Sequence, residues 1–162
     1  MVPSIFRNLS ENEYAQLIDA VPLISILIAG CDGEIDLKEK QWAEKITGIR
    51  TYSHYFEVKP LYQDLDKQFT AKFDQFVSEL PIDVAARNKE ISNRLSALNN
   101  IFSKLPMSVS SKLYNSYLSL AEQVARSSGG FLRMMAKSRE ENEWVGLPML
   151  DPIFYEEFDE EE

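Results

Sequence analysis

Eight consecutive residues, Asp32-Gly33-Glu34-Ile35-Asp36-Leu37-Lys38-Glu39, carry the side chains and spacing best suited to chemistry in this chain. They match the second half of an EF-hand loop, with Asp and Gly at positions 5 and 6, Ile at 8, Asp at 9 and Glu at 12. Positions 1 and 3 fall on Ile28 and Gly30, which offer no carboxylate. Calcium takes about six to eight oxygens, so a loop lacking two strong ligands is not expected to hold it tightly. What remains is a weak or shared divalent-cation site, for calcium or another ion, built from Asp32, Glu34, Asp36 and Glu39. A second reading needs no metal. Gly33 can take the positive φ of a tight turn, Ile35 can staple onto the helix that follows, and Asp36 with Glu39 can satisfy that helix's first amides reciprocally. Acids at a helix start also complement its dipole, which counts modestly against placing a cation there.

Cys31 and His54 are the single cysteine and single histidine, and so the one nucleophile–base combination of the usual kind. Nucleophilic catalysis needs the two in hydrogen-bond reach, a third group to orient the base, and an oxyanion hole. Nothing in the sequence brings them together, and Cys31 at the end of an apolar run reads as a buried structural thiol. No catalytic residue is assigned. A lone cysteine excludes an intramolecular disulfide, and with one histidine it excludes zinc sites rich in those ligands. Further on, Ser127-Ser128-Gly129-Gly130 opens a turn flanked by Arg126, Arg133, Lys137 and Arg139, a basic patch without Walker or dinucleotide spacing. It reads as a solvated loop, or as a contact for an anion, a partner or the chain's own acidic end. That end, Phe154-Tyr155-Glu156-Glu157-Phe158 and then Asp159 to Glu162, mixes aromatics with acids. It is a frayed, solubilising terminus, or a peptide whose Tyr155 and Phe158 anchor it on a basic partner surface.

The elements that must position these residues are helical throughout. Ser10 and Glu13 have capping-box spacing, and a helix is expected from there to Ala20. Pro22 then opens or kinks a second, very apolar helix from Leu23 to Ala29. Asp36 leads a helix through Trp42, Ala43 and Ile46 to Gly48. Leu61, Leu65, Phe69, Phe73, Phe76, Val77 and Leu80 step by three and four, which predicts one amphipathic helix ended by Pro81. Asp83 caps the next, which carries Ile91, Leu95, Leu98, Ile101, Phe102 and Leu105 inward and stops at Pro106. Ser108 or Ser110 caps another, with Leu113, Tyr117, Leu120, Val124 and Ala125 on its apolar face. A last short helix starts at Ser138-Arg139-Glu140-Glu141, again a capping box, and runs to about Gly146. No window alternates with period two, so no strand is expected. Asp36, Glu39 and Trp42 also match Ser138, Glu141 and Trp144 at a constant offset of 102 residues, which suggests two related helix–turn–helix units.

The run Leu27-Ile28-Ala29-Gly30-Cys31-Asp32-Gly33-Glu34-Ile35-Asp36-Leu37-Lys38-Glu39 resembles the signature of the tellurite-resistance TerB family, shared by DjlA-like co-chaperone domains. The resemblance implies an all-α bundle of about this size with a duplicated arrangement, covering most of the chain. It implies a stress-response role, and a divalent-metal cluster that carries over to Asp32, Asp36 and Glu39, with Glu34 as an addition. In the family a second acidic turn often faces the first. Here the equivalent stretch is Ser127-Ser128-Gly129-Gly130, and Glu141 is its one matched acid.

The chain has 162 residues, 44% of them hydrophobic, and a net charge of −9. That length fits one domain with a core that needs no staples. Seven of the 26 acids lie from Asp151 onward with no Lys or Arg among them, leaving 19 acids against 17 basic residues in the body. A body so near neutrality argues against a nucleic-acid partner, where phosphate neutralisation dominates. The longest apolar run, Leu23 to Gly30, is too short to insert in a membrane, and no signal peptide is apparent. The expectation is therefore a cytoplasmic, single all-α bundle of seven to eight helices over residues 1–150, followed by an acidic, flexible tail over 151–162. Its expected function is non-enzymatic: a TerB-like scaffold or partner-binding module, acting on a protein partner or a membrane-associated complex. The alternatives are a dedicated divalent-metal sensor and an enzyme with an unrecognised hydrolytic or redox site.

Overall fold

The apolar stretch around Leu23 is the axis of the fold. A computed structural model describes residues 2–29, 58–127 and 144–154, together with the single positions 41 and 45. Every regular element in those residues is helical, and no strand occurs among them. In chain order they are a 3₁₀ turn at Ser4–Phe6, α1 (Glu11–Ala29), α2 (Lys59–Asp66), α3 (Phe69–Glu79), α4 (Val84–Ser96), α5 (Leu98–Phe102) and α6 (Met107–Ser127). Gln41 and Lys45 are also helical and exposed, one turn apart, within the helix expected after Asp36. Trp144 and Val145 form the end of a helix at Gly146.

Helix α1 packs against each of α2 to α6. From Ala20 to Ile28 every residue is buried, the pattern of a helix apolar on all sides and enclosed by neighbours. Pro22 lies inside α1 and does not divide it, contrary to the two helices expected there. An interior proline costs about 3 kcal/mol or more through a lost bond and a clash with the carbonyl four residues back. Fully burying one Leu or Ile side chain is worth about 1.5–3 kcal/mol, and Ile24, Ile26, Leu27 and Ile28 all reach zero exposure along this axis. Continuity of that buried column outweighs the proline. Ser25, buried in the same turn, donates its hydroxyl to the Val21 carbonyl at 2.9 Å.

The start of α1 follows its sequence signal. The Ser10 N–H donates to Glu13 Oε1 at 3.0 Å, and the Glu13 N–H donates to Ser10 Oγ at 3.1 Å. Phe6, fully buried, sets its ring 5.4 Å from that of Tyr14.

The single helix expected from Leu61 to Leu80 is two, α2 and α3, separated at Lys67 and Gln68. The reason lies in the steps. Leu61, Leu65, Phe69 and Phe73 follow one another at intervals of four, and each such step overshoots a turn of 3.6 residues by about 40°. A straight helix would swing the apolar face by about 120° over those three steps. The break, where the Gln68 N–H bonds the Leu65 carbonyl at 2.8 Å, lets all four side chains stay in the core.

Asp83 is the N-cap of α4, as its position suggests, its carboxylate accepting the Ala86 N–H at 2.9 Å. The helix expected to continue to Pro106 is interrupted at Ala97. Ser96 and Ser103 each turn a hydroxyl onto the carbonyl three residues back, Asn93 at 2.7 Å and Asn100 at 2.6 Å, competing with the helical ladder. Helix α6 starts at Met107, not after Ser108 or Ser110. The Pro106 carbonyl accepts from Val109 and Ser110, and the Ser110 hydroxyl reaches back to the Phe102 carbonyl at 2.7 Å. Leu113, Tyr117, Leu120, Val124 and Ala125 are buried as the periodicity predicts.

Three polar contacts fix the flanks of α1: Tyr14 to Asp64 of α2 at 2.6 Å, Asp19 to Lys72 of α3 at 2.8 Å, and Glu13 to Lys104. In the interior the Tyr117 hydroxyl donates to the Leu17 carbonyl at 2.9 Å, and Tyr62 bonds Ser116. Among the described residues no helix is long and apolar enough to cross a membrane.

Candidate functional site

Most of the residues singled out by sequence lie outside the described residues. Those are the cation candidates Asp32, Glu34, Asp36 and Glu39, the turn and cap residues Gly33, Ile35, Ser138 and Glu141, and the basic residues Arg133, Lys137 and Arg139. Tyr155, Phe158, Cys31 and His54 also fall outside them. Arg126 belongs to α6 by its backbone alone. Among the described residues no group of three His, Cys, Asp or Glu side chains is placed to hold a metal.

The described residues do assemble a concave site, where α5, the start of α6 and the segment 151–153 meet. Asn99 builds it. Its Oδ1 accepts the Asp151 N–H at 2.8 Å and its Nδ2 donates to the Met149 carbonyl at 3.0 Å, so one side chain fastens two backbone groups of the later segment. Leu147 and Leu150, both buried, anchor the same segment from below. Leu147 sits at φ 46°, a left-handed backbone costly for leucine, and its N–H bonds the Trp144 carbonyl at 2.9 Å. Burial of its side chain holds that conformation in place, and it turns the chain from the last helical residues towards Asn99.

The resulting groove has a volume of about 240 Å³ and is walled by Phe102, Leu105, Met107, Pro152 and Ile153, with Asn99, Ser103, Ser110 and Asp151 supplying its polar atoms. Those polar groups are mostly engaged within the fold. Both ends of the Asn99 amide are in use, and Ser103 and Ser110 donate to backbone carbonyls. The surface left to a visitor is apolar, with one exception: the exposed Asp151 carboxylate forms no ion pair among the described residues. Met107, which lines the groove, is 58% exposed, and Phe154, next in the chain to the lining residue Ile153, is 88% exposed. The nearest cation along the chain, Lys104, is engaged by Glu13.

Sequence reasoning did not single out this groove. The available signals were an asparagine beside the inward-facing Leu98 and a proline at 152, which holds Asp151 extended and out of any helix. Neither reveals that residues 99 and 151 meet.

Two phenols of the core are shifted electrostatically. Burial, and then the Asp64 carboxylate it donates to, push the Tyr14 phenol well above its ordinary value. Burial does the same to Tyr117, with Tyr62 and Tyr14 adding to it. Both remain protonated donors, which suits structural hydrogen bonds and not acid–base exchange. No protein family, curated protein or solved structure matches this chain.

Proposed function

We propose that this chain is a non-enzymatic, TerB-like partner-binding module, a scaffold of the stress-response, tellurite-resistance-related kind that works in the cytoplasm on a protein partner or a membrane-associated complex. The observation that carries the partner-binding reading is the groove. Its apolar wall is open, its polar groups are mostly satisfied from within, and Met107 on that wall stands exposed. The all-helical architecture around one enclosed helix supports the fold side of the reading, and that helix leads directly into the Leu27–Glu39 run. Cross-linking of the intact protein in its native cells, read by mass spectrometry, tests it. A reproducible protein cross-linked to this chain is expected; cross-links to no protein beyond the chain itself would overturn the reading.

A second reading, dedicated divalent-metal binding or sensing, is favoured by the half-loop at Asp32, Glu34, Asp36 and Glu39. Thermal unfolding in EDTA and then with calcium, magnesium, manganese and zinc decides it. A ligand at 100 times its dissociation constant adds about 2.7 kcal/mol to the folded state. A midpoint rise of that kind, abolished by Asp32→Asn, would make the cation the main function. No rise with any ion leaves these acids as turn and cap residues.

A further inference from the structure

We infer that residues 147–153 form a strap that opens and recloses as one unit while the rest of the fold stays intact, with Leu147 as its strained joint and Asn99 as its catch. Closed, the strap supplies one wall of the groove beside Phe102 and Leu105; open, it leaves those two side chains without that wall and frees both ends of the Asn99 amide. The device belongs to the fold and stands whether or not a protein partner is found.

Few contacts hold the strap closed. Leu147 and Leu150 are buried, Met149 and Ile153 are half-buried, and Pro148, Asp151 and Pro152 are exposed. The two prolines have no N–H to donate. The Leu150 N–H bonds the Leu147 carbonyl at 3.0 Å, inside the strap, and the Leu147 N–H bonds the Trp144 carbonyl just before it. Among the described residues, the strap's hydrogen bonds to the helices run through one side chain. Asn99 accepts the Asp151 N–H at 2.8 Å and donates to the Met149 carbonyl at 3.0 Å. When that amide lets go, both bonds are lost together, and two leucine side chains remain as the anchor.

The backbone works against closure. Leu147 sits at φ 46°, where its own Cβ crowds the following carbonyl. Pro148 adds to the strain, because a residue before proline is pushed towards extended backbone. Asp151, before Pro152, has the same bias. Once Leu147 leaves its seat its backbone relaxes, and the prolines at 148 and 152 keep the freed segment extended rather than helical. Burial of Leu147 and Leu150 opposes this relaxation, so the closed form is a balance between two local terms. The facing wall has no comparable release. There the Ser110 hydroxyl bonds the Phe102 carbonyl, and the Phe102 ring lies 6.4 Å from that of the fully buried Tyr117. Opening is therefore confined to the strap, at a cost below that of unfolding the bundle.

Hydrogen exchange of the full chain, followed amide by amide in urea too dilute to unfold it, tests the strap. The amides of Leu147, Leu150 and Asp151 are expected to share one opening with a shallow urea dependence, while Leu17 and Ile24 in α1 follow the steep dependence of the whole molecule. Asn99→Ala is expected to speed the three strap amides together by about tenfold. Phe73→Leu, at a buried site on α3, is expected to speed the α1 amides by about fivefold or more and to leave the strap amides unchanged, since α3 is in place in both forms of the strap. Leu147→Gly and Leu147→Ala lose the same anchor, but glycine takes the left-handed backbone freely; Leu150 and Asp151 should exchange about threefold or more slowly in the glycine variant than in the alanine one. A steep urea dependence at the three amides, or acceleration in step with α1 in Phe73→Leu, would show that the segment opens only with the whole molecule and overturns the inference. Three unrelated openings, or acceleration of Asp151 alone in Asn99→Ala, overturn it too, because they are separate fluctuations and not a strap. Exchange no slower with glycine than with alanine removes Leu147 as the joint. The urea series on the unaltered chain decides by itself if a variant fails to fold.

Discussion

Asn99→Ala is the sharpest test of how the groove is built. The side chain makes two neutral hydrogen bonds to backbone groups about fifty residues away, the Asp151 N–H at 2.8 Å and the Met149 carbonyl at 3.0 Å. A typical intramolecular hydrogen bond contributes about 0.5–1.5 kcal/mol net, so the pair is worth about 1–3 kcal/mol. Asn99 is half-buried, so water can replace part of the loss and the lower half of that range is expected. For a chain of this length each kcal/mol moves the melting midpoint by about 2–4 °C. Asn100 is the control. It neighbours Asn99, is exposed, and contributes to Ser103 through its backbone carbonyl, so Asn100→Ala is expected to stay within about 0.5 kcal/mol of the parent. Urea unfolding gives the global cost, and hydrogen exchange at the Asp151 amide gives the local one. Asn99→Ala should accelerate that exchange while Leu17 and Ile24 in α1 keep most of their protection. If Asn99→Ala costs no more than Asn100→Ala and the Asp151 amide exchanges unchanged, Asn99 does not hold the groove wall and the account of the site is refuted.

Three further outcomes follow from single contacts. The Lys104 ammonium, then the Ser10 N–H, hold the Glu13 carboxyl below its ordinary value. A depressed folded-state value gives stability that is present above the unfolded value of about 4.3 and is lost as pH falls through the folded one. Glu13→Gln should therefore flatten the acid limb of a plot of urea midpoint against pH; an unchanged limb would rule the contact out. Gly146→Ala is expected to stabilise by about 0.4–1 kcal/mol, because no atom lies within 4 Å of the added carbon and the left-handed backbone falls on Leu147 instead; a lower midpoint contradicts this. Asp36→Ala is expected to cost about 1 kcal/mol through the lost cap, equally in EDTA and in calcium. A cost seen only in calcium would assign Asp36 to the cation.

The parts of this fold legible in sequence are those decided within one or two turns. Ser10 with Glu13, and Asp83 with Ala86, bond as their spacing suggests because both partners lie on one short stretch of backbone. The inward face of α6 follows from its period alone. What escaped was decided by distant partners. Pro22 reads locally as a break, yet the helices surrounding α1 make an unbroken axis the better solution. Leu61 to Leu80 reads as one helix until its four-residue steps are summed, and the break then becomes the way to keep Phe69 and Phe73 buried. The groove was hidden for the same reason, since Asn99 and Asp151 meet across 52 positions with no local trace of the encounter. The acidic half-loop at 32–39 was fully visible as a motif, but a motif states which ligands are available and not whether they converge.

The two walls of the groove are not equally secured, and this bears on how it would act. One wall consists of α5 and the start of α6, joined by the Ser110–Phe102 bond and by Phe102, whose ring lies 6.4 Å from that of the fully buried Tyr117. Opening it would disturb the core around α1. The other wall, residues 151–153, adjoins the core through Leu147, Leu150 and the two bonds to Asn99, and its continuation at Phe154 is almost fully exposed. Segments with few buried apolar contacts and few hydrogen bonds open at a free energy below that of global unfolding. Leu147 lowers that cost further, because its left-handed backbone stores about 1–2 kcal/mol that release of the segment would recover. A side chain seated between the walls would add apolar contact to the weaker one, so occupancy and order at residues 151–153 are thermodynamically linked.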